Sequence, residues 1–246
     1  MIEFVLFDLD GTLHNMDPYV FVKAYLGAIG GHFAQFGHDP KKLGETILMG
    51  TNAMVAGDGT RTNAEVFWDY YTNEFSDTID ADKVQFDYFY NNMFDGLRST
   101  SARIAGAAEA VRRIKGMGLK TVLATNPVFP MTAQLNRLKW TGLTEDDFCL
   151  VTAFEEFHYC KPNPLYYTEI VNRLGAKPEN CLMVGNDYRE DIVTAGKAGL
   201  DTFLLPECLL NPDNADISSA KQGTFSDLIL YIERKLGIAD KQGNKA

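Results

Sequence analysis

The chain has little of what would tie it to a membrane, to nucleic acid or to an oxidising compartment. No apolar run approaches the ~20 residues that a spanning helix needs. No basic stretch precedes the first apolar segment, and that segment carries Asp8 and Asp10, so it does not read as a secretion signal. Positive charge is scarce. The 23 Lys and Arg against 33 Asp and Glu leave a net charge of −10, which argues against a phosphate backbone or an anionic lipid surface as partner. Cysteine is sparse too. Cys149, Cys160, Cys181 and Cys208 form no CxxC pair, so the expectation is free thiols in the cytoplasm rather than a disulfide framework or a zinc site. Internal repeats and low-complexity tracts are lacking.

What is present begins with Ile2 to Phe7, a short apolar run patterned like a strand buried on both faces. It stops at Asp8 and Asp10. An ionised carboxylate in an apolar interior is costly, so both acids belong where the strand leaves the sheet. In open α/β sheets that edge is where ligands bind. Gly11 then lets the backbone turn, and Thr12 adds a hydroxyl.

The next block reads as helical. Asn15 to Pro18 is expected to be a turn with Asp17 as N-cap, and helices are expected over about 19–36, 41–55 and 83–94. Thr62 and Glu65 have the spacing of a capping box for another helix, and its aromatic run Phe67, Trp68, Tyr70 and Tyr71 reads as core. From Ala102 onward the pattern alternates. Strands are expected over 119–124, 148–152, 181–184 and 202–205. Helices are expected over 107–115, 130–139, 164–174, 191–198 and 225–236, before a loose polar tail from Asp240 to Ala246. Alternation of this kind predicts a parallel sheet covered on both faces, a Rossmann-like α/β core. The domain reading is a core of 1–15 and 100–246 with a helical cap of 16–99 inserted in it.

Three strands end in polar residues: Asp8 and Asp10, then Thr125 and Asn126, then Asn186 and Asp187. Lys161 lies in the loop after another. A parallel sheet would bring all of them to one edge. Carboxylates so close repel unless a cation binds them, and oxygen ligands favour a hard ion, Mg²⁺. One carboxylate can attack while a second moves protons. A lysine and a hydroxyl beside them suit a phosphoryl group. Cys160, beside Lys161, lacks an evident base except His158 and is not read as a nucleophile.

Asp8-Leu9-Asp10-Gly11-Thr12-Leu13 resembles the first motif of the haloacid dehalogenase superfamily. Thr125, Lys161 and the run Gly185-Asn186-Asp187 with Asp191 resemble its second, third and fourth motifs, in order. The helical block resembles the C1-type cap. The resemblance implies that Asp8 is a nucleophile and Asp10 a general acid and base. It implies that Thr12, Thr125, Asn126 and Lys161 hold the phosphoryl group. Mg²⁺ would sit on Asp8, on the Asp10 carbonyl and on an acid of the fourth motif. Asp187 is preferred there over Asn186, with Asp191 orienting Lys161 or a metal-bound water. The function implied is a phosphatase acting on a small phosphorylated metabolite. The alternatives are a 2-haloacid dehalogenase, which Asp10 argues against, a phosphomutase, and a non-enzymatic binding or regulatory protein. Asn52, Met54 and Trp68 are candidate specificity residues in the cap, and His14 a candidate for the substrate or the hinge.

Overall fold

A computed structural model describes residues 1–238, so the expected polar tail from Asp240 lies outside the described residues. Five strands form one parallel sheet in the order β5-β4-β1-β6-β7: β1 Phe4–Phe7, β4 Lys120–Leu123, β5 Leu150–Val151, β6 Cys181–Gly185 and β7 Asp201–Leu204. β1 is central because every residue in it is apolar and can be buried on both faces. Val5 and Phe7 point into one apolar layer with α5 (Ala107–Gly116) and α9 (Phe225–Lys235). Phe4 and Leu6 point into the other, with α7 (Pro164–Leu174) and α8 (Thr194–Lys197). Each such side chain contributes about 1.5–3 kcal/mol by leaving water, which makes this strand the anchor of a three-layer core.

The register sets the site edge. Phe7 lies opposite Leu123 on one side and Val184 on the other. Asp8 N–H then donates to the Val184 carbonyl at 3.0 Å, and Ala124 N–H to that of Phe7 at 2.7 Å. The residues after β1, β4 and β6 therefore leave the sheet side by side.

The helical block consists of α1 (Pro18–Ala34), α2 (Pro40–Val55), α3 (Asn63–Glu74) and α4 (Ile79–Asn92). Asp17 caps α1 through Tyr19 and Val20 N–H, Asp39 caps α2, and Thr62 and Glu65 form the expected capping box. On α1 the residues Phe21, Tyr25, Ile29 and Phe33 recur every four positions and form one buried stripe. They join aromatics of α3 and α4 in a core of their own, which also takes in Ala133, Trp140 and Phe154 of the α/β unit. The cap is thus seated on the core by apolar contact.

Four elements differ from expectation. Asn15 and Met16 do not make a turn. They lie in β2 (His14–Met16), which pairs antiparallel with β3 (Ser101–Arg103), so the chain enters and leaves the helical block through adjacent strands. Three residues are too few to show a period of two. α4 starts at Ile79 rather than near Lys83, because buried Asp82 ties its first turn to Tyr71, Thr78 and His38. β5 keeps only two of five expected residues, as the edge strand. The segment after β6 turns helical at Tyr188 as a π-turn to Val193, because Asp187 accepts from Glu190 N–H at 2.8 Å.

Gly11 makes the turn that follows the two acids. Its φ is +81°, and a Cβ there would lie 2.2 Å from Asn186 Nδ2. Gly11→Ala is expected to lower stability by roughly 1–3 kcal/mol through strain and displacement of Asn186, which urea unfolding would measure.

Candidate active site

The sheet edge brings the sequence-marked residues together. Asp8, Asp10, Thr125, Asn126, Asn186, Asp187 and Asp191 line one cavity of about 130 Å³, with Arg137 and Glu190. Lys161 is buried against two of these lining residues, its Nζ donating to Asp8 Oδ1 and to Asp191 Oδ1, each at 2.7 Å. Burial alone would lower the Lys161 pKa, but Asp191 and Asp8 hold it well above the usual range, so the ammonium stays charged.

Around this pair each neighbour has a defined place. Asp191 Oδ2 accepts from Asp187 N–H at 3.0 Å, so both of its oxygens are committed. Gly185 has no Cβ because one would stand 2.1 Å from Asp191 Oδ2. Asn126 accepts from Lys161 N–H at 3.2 Å and donates to its carbonyl, fixing the loop that carries the ammonium. The Thr125 carbonyl accepts from Tyr166 Oη at 2.8 Å and from Thr152 Oγ1 at 2.5 Å, which pins the end of β4. Thr12 is buried, and its hydroxyl donates to Asn186 Oδ1 at 2.9 Å. Asn186 Nδ2 donates in turn to the Cys208 carbonyl. Asp187 is only half-buried and borders the cavity.

Two features of the cavity were not flagged in the sequence: Glu190 and Arg137. Arg137 lies on α6 (Met131–Thr141), is 2% exposed, and donates to Asp10 through Nη2 and to Gln134 through Nη1. Its guanidinium stacks against Phe129 of the core and Phe21 of the cap. The signal for it was an arginine on the same helix face as Ala133 and Trp140, where an unpaired charge should not sit. His14 Nε2 bonds the other Asp10 oxygen at 2.7 Å. Burial pushes the Asp10 pKa up, but Arg137 and His14 outweigh it and hold the carboxyl well below the usual range. Asp10 is therefore held in its ionised form. Asp8 is shifted the other way, upward, by burial and by Asp10, against the pull of Lys161.

The donor chemistry fits a hard cation. Asp8, Asp10, Asp187, Glu190 and Asp191 share one cavity, and Lys161 and Arg137 neutralise only part of that charge. Among the described residues no three His, Cys, Asp or Glu side chains form a metal cluster, so a bound ion would rely on backbone oxygen as well as carboxylate. Cys160 is buried and its thiol is pushed up to about 12, first by burial, which makes it a poor nucleophile. Of the candidate cap residues, Asn52 is exposed and Met54 sits in the cap's apolar core, whereas Trp68 borders a cavity. No helix among the described residues is long and apolar enough to cross a membrane.

Replacing Lys161 by Met would leave two buried carboxylates without a counter-charge, expected to cost roughly 3–5 kcal/mol near pH 8. The loss should shrink near pH 5. Both acids already bind protons more readily than in the unfolded chain, and without Lys161 they do so further, so the deficit falls as they protonate. Denaturant unfolding at the two pH values checks both magnitude and sign.

A family model described as haloacid dehalogenase-like hydrolase matches residues 2–199. A ribulose-1,5-bisphosphate 5-phosphatase of Halopiger xanaduensis is 33% identical over 101 residues, 41% of this chain and 41% of that protein. A pyrophosphatase PpaX of Halalkalibacterium halodurans is 31% identical over 108 residues, 44% of this chain and 48% of that protein. The chain thus spans less than half the length of these curated relatives. A solved structure titled as a 2-haloacid dehalogenase from Pseudomonas syringae shares the fold at a TM-score of 0.60 and 19% identity, over 95% of this chain and 99% of that one.

Proposed function

The chain belongs to the haloacid dehalogenase-like hydrolase family, and on that premise we propose that it is a Mg²⁺-dependent phosphatase acting on a small phosphorylated metabolite through an aspartyl-phosphate at Asp8. The observation that carries this is the buried Lys161 ammonium bonded to Asp8, beside a cavity whose lining includes five carboxylates. A fixed cation beside a carboxylate nucleophile suits a phosphoryl group, whose transfer depends on positioning and charge neutralisation. The two curated relatives are named for small phosphorylated compounds, which supports the substrate class. Four free thiols and the acidic charge support a cytoplasmic setting.

The substrate enters as its monoanion, and its negative charge beside Asp10 raises the proton affinity of that carboxylate, which takes the substrate's proton. In the first half-reaction an Asp8 oxygen bonds to phosphorus as the bond to the ester oxygen breaks, and that oxygen takes the proton from Asp10. In the second, Asp10 takes a proton from water. The water oxygen bonds to phosphorus and the bond to Asp8 breaks; the departing phosphate carries away the proton from Asp10, which restores both carboxylates. Lys161 and Thr125 hold the phosphoryl oxygens, with Asn126 positioning Lys161 and Thr12 acting through Asn186. Arg137 and His14 fix the direction of the Asp10 carboxylate, in the form that receives a proton.

Mg²⁺, when bound, would neutralise phosphoryl charge and offset the burial of the Asp8 carboxylate. Asp8, the Asp10 carbonyl and Asp187 would hold it. Asn186 is the weaker candidate because Thr12 and the Cys208 carbonyl already engage its side chain. Asp191 is committed to Lys161 and to Asp187 N–H.

Hydrolysis of p-nitrophenyl phosphate with and without Mg²⁺ tests the reading. Turnover should require the metal, and Asp8→Asn should reduce kcat at least 10³-fold while the thermal unfolding transition persists. Halide release from a 2-haloacid without phosphate release would overturn it. Asp187→Asn should raise the Mg²⁺ concentration needed for half-maximal activity at least tenfold, more than Asn186→Ala does. The opposite ranking in a metal titration would move the ligand to Asn186.

A further inference from the structure

A second cavity, of about 140 Å³, adjoins the carboxylate cavity between the four cap helices and the loops after β4 and β5. Val128 and Phe129 line both, so the two share a wall. Its character is the reverse of its neighbour's. Tyr25, Phe67, Trp68 and Phe86 face it from the cap, Phe129 and Phe154 from the core, and none of its lining residues carries a charge. Its polar groups are largely paired already. The hydroxyls of Tyr25 and Tyr90 bond each other at 2.7 Å, and Thr51 Oγ1 donates to the Ile47 carbonyl at 2.9 Å.

A charged or polyhydroxylated group placed there would lose water without gaining partners. An aromatic ring would meet aromatic faces on several sides, and an apolar cavity of roughly 150 Å³ is enough for one benzene molecule. We propose that this cavity receives the leaving group of the substrate, and that the group is an uncharged aromatic alcohol of about one ring. The preferred substrates are then aryl or arylmethyl phosphate monoesters rather than esters bearing a second anionic group. The assignment rests on the phosphatase reading of the adjoining site.

Benzyl phosphate and methyl phosphate isolate the ring, since both are alkyl esters. Wild-type kcat/KM should be about 10- to 100-fold higher for benzyl phosphate, the range expected for burying one phenyl group. Benzyl phosphate should also exceed 2-phosphoglycolate. Thr51→Trp, which fills the cavity from α2, should lower the benzyl-to-methyl ratio at least tenfold. Leu48→Trp, at a more exposed position on the same lining, serves if the first variant folds poorly. Calorimetric titration with benzyl alcohol tests the cavity without turnover, and binding should be lost in both variants. A ratio near one, a preference for 2-phosphoglycolate, or benzyl alcohol binding unaffected by either filler overturns the proposal. If no phosphate ester is hydrolysed while benzyl alcohol still binds wild type and not the fillers, the phosphatase reading fails and takes the leaving-group role with it, and only the cavity's preference for an aromatic ring stands. Hydrolysis of methyl phosphate with no binding of benzyl alcohol overturns the cavity assignment alone.

Discussion

One buried ammonium between two carboxylates ties the site together. Lys161 is placed by a loop, Asp8 by β1 and Asp191 by the π-turn after β6. The three segments are far apart in sequence, and a single charge joins them in the interior. Isolated, each of these groups would be driven toward its neutral form. Together they keep the ammonium charged and the three segments in register, and the surrounding bonds follow from that. Asp191 reaches back to Asp187 N–H, Asn126 grips the Lys161 backbone, and Gly185 leaves the room that Asp191 needs.

The second organising contact lies across the cavity, where Arg137 meets Asp10. This guanidinium is buried and lies over the rings of both Phe21 of α1 and Phe129 of the core. A shift of α1 would therefore be felt by the group that holds Asp10. The β2–β3 pair gives the cap a short two-strand connection, and the shared apolar cluster gives it a seat. The polar cavity and the aromatic one meet along Val128 and Phe129, so a charged lining and an apolar one are neighbours without mixing.

Much of the architecture was legible from pattern. The apolar run ending in Asp8 and Asp10 marked the central strand, because burial on both faces leaves a continuous hydrophobic signal. The caps at Asp17 and Thr62 were legible because capping is local chemistry. The start of α4 was not, since it depends on Asp82 finding Tyr71 and His38. Nor was the β2–β3 pair, whose two strands hold three residues each and come from opposite sides of the helical block. Arg137 escaped notice because its partner Asp10 is 127 positions away.

The sequence by itself determined the alternation of strand and helix, the acids at the end of the first strand, and the order of the polar strand ends after it. Those are properties of neighbours along the chain, governed by periodicity, capping and the cost of burying charge. Only the tertiary structure decided which charges pair. It set Lys161 between Asp8 and Asp191, set Arg137 on Asp10, closed Asn186 between Thr12 and Cys208, and left Asp187 on the cavity wall. Such pairings depend on distances across the sheet edge, and a buried charge is stabilised by whatever the fold brings within reach.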